Sequence, residues 1–304
     1  MKRLSVIIVT YNSEHDIYDC LDSVARHCDV PAGDVEIVIV DNGSTARDAM
    51  FDAVRSRYGF DIVTVANDHN GGYGQGNNIG IRKASAPLLL IMNPDVRIVE
   101  PVFGTVLRAF EDDERLYMYG MKQLLAENRD SRHSFSFTYM MNGWLWVLLT
   151  GLCTRLDLFM PRFMYLTGSF FFVKKAEFES VGLFDESVFM YGEEDDIHFR
   201  LVHRFGPHIR YDSRHHYMHL VSGRKPSLKY EKAIFENLLY LHEKKGYSRL
   251  KTVRNFLRST DIRLFRESVR VKMGKSDDLY QVLRGFRSYL KEYRDTIKSE
   301  GRKQ

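Results

Sequence analysis

Two hydrophobic rhythms alternate along the first hundred residues. Leu4-Ser-Val-Ile-Ile-Val-Thr10 is a short β-branched run of strand length, the pattern of a buried parallel strand. Apolar residues then recur at helical spacing, at Ile17, Leu21 and Val24, with Ser13 placed to cap that helix and Asp16 three residues on. Val35–Val40 reads as a second strand, Asp61–Val65 as a third and Pro87–Met92 as a fourth, with a glycine-rich loop and a helix around Asn78–Ala84 before the last. Strands alternating with helices at this spacing predict βαβ units and a mostly parallel central sheet. Each strand runs into a polar cluster at its C-terminal end, where open α/β sheets place their ligands.

After residue 112 the alternation stops. Residues 113–164 read as irregular and rich in aromatics and Met. Gly168–Val173 resumes as a strand, and residues 193–205 as a helix. From Pro226 onward, Ile234, Leu238 and Leu241, then Val253, Phe256 and Leu257, keep helical spacing and predict a helical tail. The expected organisation is an α/β domain over 1–224, with halves of about 1–112 and 113–224, and a helical region over 225–304.

Composition narrows the class. With 304 residues, 44% of them hydrophobic, the chain can bury a sizeable core, and it reads as neither disordered nor fibrous. Cys20, Cys28 and Cys153 are sparse and have no metal-type spacing, which favours a reducing compartment over a disulfide framework. No secretory leader pattern and no apolar run of membrane-spanning length is seen, so a cytoplasmic location is expected. The net charge of +4 hides an asymmetry: residues 1–224 carry −7 and residues 225–304 carry +11. A basic tail on an acidic body points to an anionic partner for the tail.

Four features carry candidate chemistry. Asp95, in Asn93-Pro94-Asp95 after the fourth strand, is by itself a turn former; its functional reading is a ligand for a hard divalent cation, to which a nucleotide diphosphate supplies the other oxygens. The segment Asn70–Asn78 holds four glycines but fits neither the dinucleotide fingerprint nor a phosphate loop. Glu193-Glu194-Asp195-Asp196 opens a helix. A helix dipole accounts for one or two acids there, but four in succession repel one another and should raise at least one pKa, which suits a general base. His219 is a lone histidine after a polar strand. His215 and His216 are adjacent, diverge on a strand and read as structural.

Taken in order, these motifs resemble the family 2 glycosyltransferases, and within them a bacterial rhamnosyltransferase-like branch. Ser5–Asn12 is similar to the family's opening strand, and Asp41-Asn-Gly-Ser44 to its base-contacting element. Asn70–Asn78 is similar to the branch's Asn-x-Gly loop, and Leu90–Asp95 to a Leu-Asn-Pro-Asp form of the metal motif. Met164–Ser169 and Gly182–Glu186 match the acceptor-side segment, and Phe189–Arg200 the acidic motif that ends in arginine. The resemblance covers roughly 4–222.

It implies a GT-A-type α/β sandwich and an inverting single displacement. Thr10, Tyr11, Asn12, Asp41, Asn42, Asn70, Gly72, Asn77 and Asn93 would then line the nucleotide-sugar site. Asp95, with His219 nearby, would hold Mg²⁺ or Mn²⁺. Alignment on Arg200 puts Glu194 at the base position, with Glu193 and Asp195 left open as alternatives. The metal motif departs from the family pattern, with Asn93 where an aspartate is usual. The branch suggests a dTDP-rhamnose or UDP-sugar donor and a cell-surface polysaccharide or lipid-linked saccharide acceptor.

Two alternatives are set against this reading. A nucleotidyltransferase would carry a glycine-rich basic loop after the first strand, which Tyr11–His15 is not. A nucleic-acid-binding protein could use the basic tail and its aromatics Tyr247, Phe256, Phe265, Tyr280 and Phe286, but it has no need of the acidic motifs, so no nucleic acid is expected. The tail and the tryptophan-bearing run 139–152 fit docking on an anionic inner membrane face, and the run also fits a buried or dimer helix, so an oligomer stays open.

Overall fold

The computed structural model describes residues 1–126, 129–138, 143–220 and 225–300. In chain order its elements are β1 (Leu4–Thr10), α1 (Glu14–His27), β2 (Val35–Asp41), α2 (Arg47–Arg57), β3 (Asp61–Ala66), α3 (Gly72–Lys83), β4 (Leu88–Met92), β5 (Val96–Ile98), α4 (Phe103–Asp112), β6 (Met118–Ala126), β7 (Arg129–Asp130), β8 (Phe135–Phe137), α5 (Gly143–Arg155), β9 (Met164–Leu166), β10 (Phe170–Lys174), α6 (Lys175–Ser180), α7 (Glu193–Phe205), β11 (Ile209–His219), α8 (Leu228–Lys244), α9 (Arg249–Lys272) and α10 (Asp278–Glu300). Two compact units result: Met1–Ser136 with Asp157–Ser222, and Phe137–Leu156 with Gly223–Gln304.

The first unit is built on a nine-stranded sheet in the order β3-β2-β1-β4-β10-β6-β11-β5, with β7 on β6. The four leading strands are parallel, β10 runs antiparallel to both β4 and β6, and β11 is parallel to β6. Because side chains alternate along a strand, the apolar runs feed two cores. Leu4, Val6 and Ile8 join Val35, Ile37 and Ile39 under α1 and α4, while Ile7, Val38 and Val40 face the other way toward Ile81 and Phe184. Register aligns the C-terminal ends, pairing Thr10 with Asp41 and Asp41 with Ala66.

Three local expectations are corrected. Residues 113–164 are not irregular, since β6 is a long strand inside the sheet. Its run Met-Tyr-Gly-Met-Lys-Gln-Leu-Leu-Ala mixes Gly, Lys and Gln into a strand, so neither β-branched richness nor alternation marks it. The glycine-rich segment is not a loop before a helix, because α3 already starts at Gly72. Glycines four apart leave one face of α3 bare: a Cβ on Gly76 would lie 2.6 Å from Val9 Cγ1, and one on Gly80 2.5 Å from Ile7 Cγ2. Close approach of helix to sheet, rather than flexibility, is what these glycines supply. Finally, Ser13 sits at the N-cap of α1 without capping it; its hydroxyl donates instead to the Tyr11 carbonyl.

The second unit is helical. Phe235 and Leu239 of α8, Val253, Phe256 and Leu257 of α9, and Phe286 and Leu290 of α10 form its core. α5 lies against α9 so closely that a Cβ on Gly143 would meet the Asn255 carbonyl oxygen at 1.8 Å. Of the run 139–152, residues 139–142 lie outside the described residues. Trp146 packs against the core, while Trp144, Leu148 and Leu152 are exposed.

Candidate active site

The ends of β1 and β2 are tied together by one carboxylate. Asp41 is fully buried, and its Oδ2 accepts from Thr10 Oγ1 at 2.9 Å and Ser44 Oγ at 2.6 Å. Its Oδ1 accepts from the backbone amides of Gly43 and Ser44, at 3.1 and 2.8 Å. Four donors fill the acceptor capacity of a carboxylate. Asp41 and Thr10 therefore shape the turn. Tyr11 and Asn12 are the exposed side chains beside it, Asn12 with a left-handed φ of 50° and its amide on Ser44 Oγ.

Asn42 links this turn to α3. Its side-chain amide donates to the Gly72 carbonyl at 3.0 Å, and its carbonyl oxygen accepts from Asn67 at 3.1 Å. Asn70 accepts from the Gly72 amide, and buried Asn77 donates to the Tyr73 carbonyl. Gly72 has φ +87° and no room for a Cβ, which would lie 2.0 Å from the Phe189 carbonyl oxygen. The start of α3 is thus held against the segment that leads into the acidic motif.

Asp95 follows β4, and the pairing of β5 with β11 sets His219 opposite Val96. The Leu220 amide donates to the Asp95 carbonyl, and His219 Nε2 comes to 3.2 Å of Asp95 Oδ1. Both side chains are partly exposed. One carboxylate and one imidazole suit a borderline-to-hard divalent cation such as Mn²⁺. Among the described residues no group of three His, Cys, Asp or Glu side chains comes together. Asp95 and His219 would thus give a cation two protein ligands, and its remaining ligands would come from elsewhere.

The acidic helix α7 begins at Glu193 after Gly192, whose φ is 102°. Its four acids have different surroundings. Asp196 pairs with Arg200 at 2.7 Å and is structural. Asp195 is buried. Glu193 is buried, with Oε1 lacking a hydrogen-bond partner; burial and the neighbouring Glu194 push its pKa up to about 9, so it carries a proton at neutral pH. Glu194 is half-buried, its pKa also raised by desolvation, and its Oε1 accepts from the Gly168 amide at 3.1 Å.

Three motifs far apart in sequence meet at Gly168-Ser169. The Asn93 amide donates to the Ser169 carbonyl at 3.0 Å, Tyr73 Oη donates to the Gly168 carbonyl, and Gly168 N–H holds Glu194. Behind them, Gln123 Oε1 accepts from Tyr217 Oη at 3.1 Å and Ser169 Oγ at 3.3 Å. Tyr73, Gln123 and Tyr217 were not singled out from sequence. Tyr73 had a signal, being a lone bulky residue among glycines; the other two had none. His215 and His216 diverge as expected, to Asp212 and Glu100.

The model of the family described as glycosyl transferase family 2 matches residues 5–177, more than half of the chain. The chain belongs to this family. Among curated relatives, it is 29% identical over 210 residues to the low-salt glycan biosynthesis hexosyltransferase Agl10 of Haloferax volcanii, covering 65% of this chain and 61% of that protein. It is 31% identical over 96 residues to the poly(ribitol-phosphate) β-N-acetylglucosaminyltransferase TarS of Staphylococcus aureus, covering 31% of this chain and 16% of that one. The matches thus span less than two thirds of either relative. Among solved structures, the mannosyltransferase PcManGT of Pyrobaculum calidifontis, in complex with GDP-Man and Mn²⁺, superposes with a TM-score of 0.60 at 14% identity, over 99% of this chain and 88% of that one. This likeness gives the family 2 chain the GT-A fold.

Proposed function

We propose that the chain is an inverting, metal-dependent glycosyltransferase that moves a sugar from a nucleotide diphosphate to an acceptor hydroxyl. What carries the reading is the convergence on Gly168-Ser169 of the Asp95 turn, the glycine-faced α3 and Glu194. Asp95 and His219 are the residues to hold Mg²⁺ or Mn²⁺, which when bound supplies positive charge to the departing diphosphate. Tyr11 and Asn12 offer exposed groups to the nucleotide, while Asp41, Thr10, Asn42, Asn70 and Asn77 hold the turns around it. Asn93 acts through its backbone, fixing the metal turn to Ser169.

Glu194 takes the proton from the acceptor hydroxyl, and that oxygen attacks the anomeric carbon opposite the nucleotide. Glu193 is set aside as the base because its side chain is buried, whereas that of Glu194 is partly exposed. Asp195 is set aside because it is buried. A base must be partly accessible and within reach of the proton it removes. The proposed donor is dTDP-rhamnose or a UDP-sugar, and the proposed acceptor a cell-surface polysaccharide or a lipid-linked saccharide. The enzyme would then work at the inner face of the membrane; no helix among the described residues is long and apolar enough to cross it. A thermal-shift panel of nucleotide sugars with Mn²⁺ tests the donor class, since a ligand that binds only the folded state raises Tm by mass action. A panel in which no nucleotide sugar shifts the melt would overturn the reading.

A further inference from the structure

We propose that the outward face of α9 docks the second unit onto an anionic lipid bilayer. Val253, Phe256 and Leu257, whose helical spacing marked the tail in the sequence, lie in the unit's core. Other residues are exposed. Within the first half of α9, Thr252, Val253, Asn255, Phe256, Leu257, Ser259 and Thr260 are buried, and Lys251, Arg254 and Arg258 stand out between them. Beyond Thr260 no residue of α9 is buried. There Phe265, Val269 and Met273 are 71%, 43% and 74% exposed. They are four residues apart and so fall in one line.

Charge flanks that line. Arg266 and Lys272 stand beside it, Arg254 and Arg258 continue it toward the helix start, and Arg270 is paired with Glu267 of the same helix at 3.0 Å. Cations turned toward the bundle are neutralised: Arg263 pairs with Glu231 at 2.5 Å, and Arg287 of α10 with Asp261 at 2.5 Å. Among the described residues, no acid pairs with Arg254, Arg258, Arg266 or Lys272. From Lys251 to Met273 the face runs about 33 Å, since a helix rises 1.5 Å per residue. A straight apolar line edged by Arg254, Arg258, Arg266 and Lys272 fits a flat surface with negative headgroups over an apolar interior. A nucleic-acid backbone would engage the arginines but leave Phe265, Val269 and Met273 in water. A second copy of the chain would bring the same cations together. Trp144, Leu148 and Leu152 of α5 add exposed apolar surface to the same unit.

The purpose of this face rests on the proposed lipid-linked acceptor; the docking itself does not. The test is flotation of the full chain with phosphatidylcholine vesicles, with and without about 30% phosphatidylglycerol, at low and high salt. Salt should weaken the attraction, because exposed charges are screened beyond roughly 10 Å at 0.1 M. Wild type should float only with the anionic vesicles. The double variant F265E/M273E and the double variant R254E/R258E should each lose at least about tenfold in vesicle binding. Both should keep the wild-type melting temperature and nucleotide-sugar turnover, since these side chains are exposed and none belongs to the proposed site. Equal binding to both vesicle types, undiminished binding by the variants, or preference for a DNA or RNA duplex over anionic vesicles overturns the proposal. So does self-association that the variants abolish while no vesicle binds. Docking without turnover would sink the glycosyltransferase reading and leave this one standing; turnover without docking does the reverse.

Discussion

The Gly168 amide donates to the Glu194 carboxylate at 3.1 Å, and a side chain at position 168 would have to push that carboxylate aside. A Cβ at residue 168 would lie 2.4 Å from Glu194 Oε1. Gly168→Ala should therefore displace the proposed base without unfolding the sheet. The expected outcome is a fall in kcat of roughly a hundredfold, the scale of a misplacement of about 1 Å, with donor KM little changed. Steady-state kinetics beside a melting curve checks it. A variant with wild-type kcat would show that Glu194 does not need its present position.

Neighbouring glutamates should behave differently. Glu194→Gln keeps size and hydrogen bonding but removes basicity, so kcat should drop by about 10²–10⁴. Glu193 carries a proton near neutral pH, so Glu193→Gln should stay within a few-fold of wild type at pH 7. Reversal of the two results would move the base by one residue.

The same protonation makes stability depend on pH. Glu193 has a folded pKa of about 9, against an ordinary value of 4.5. Between these values the folded state binds more protons than the unfolded one, so stability is full below about 4.5 and declines toward 9. Glu193→Gln removes that decline. Its melting temperature should exceed that of wild type at pH 9, on the order of 5 °C, and converge with it near pH 4.5. Parallel melting curves across that range would contradict the assigned burial.

Asp41 tests the turn. Asp41→Ala strands two backbone amides and two hydroxyls. The hydroxyls can turn to other acceptors; the amides cannot. A loss of roughly 3 kcal/mol is expected, at about 1–3 kcal/mol per orphaned donor. Thr10→Val removes one donor and should cost about 1 kcal/mol. Denaturant unfolding of both variants is the measurement, and equal stability of wild type and Asp41→Ala would refute the account of this turn.

The sequence showed much of the first unit because its strands are buried on both faces. Leu4–Thr10 and Val35–Val40 must then be continuous apolar runs, and they are. β6 stayed hidden because Gln123 is buried in a polar cluster with Ser169 and Tyr217, partners 46 and 94 residues away. No local pattern announces such a contact. The glycines of α3 misled for a related reason: their role is set by Val9 and Ile7 across the helix–sheet interface, not by their neighbours in sequence. At the site, the motifs marked Asp95 and the acids of α7, but only the fold brings Asn93, at the start of the metal turn, and Glu194 to Gly168-Ser169.

The account's central claim is that Asp95 holds a divalent cation against the diphosphate of a nucleotide sugar. The direct measurement is release of nucleotide diphosphate from a panel of nucleotide sugars, with Mn²⁺ or with excess chelator, by wild type and Asp95→Ala. Wild type should turn over at least one donor only with the cation. Asp95→Ala should fall by on the order of a hundredfold or more while melting as wild type does, because the residue is partly exposed and lies outside the core. Full turnover in chelator, or wild-type turnover by Asp95→Ala, would contradict the claim.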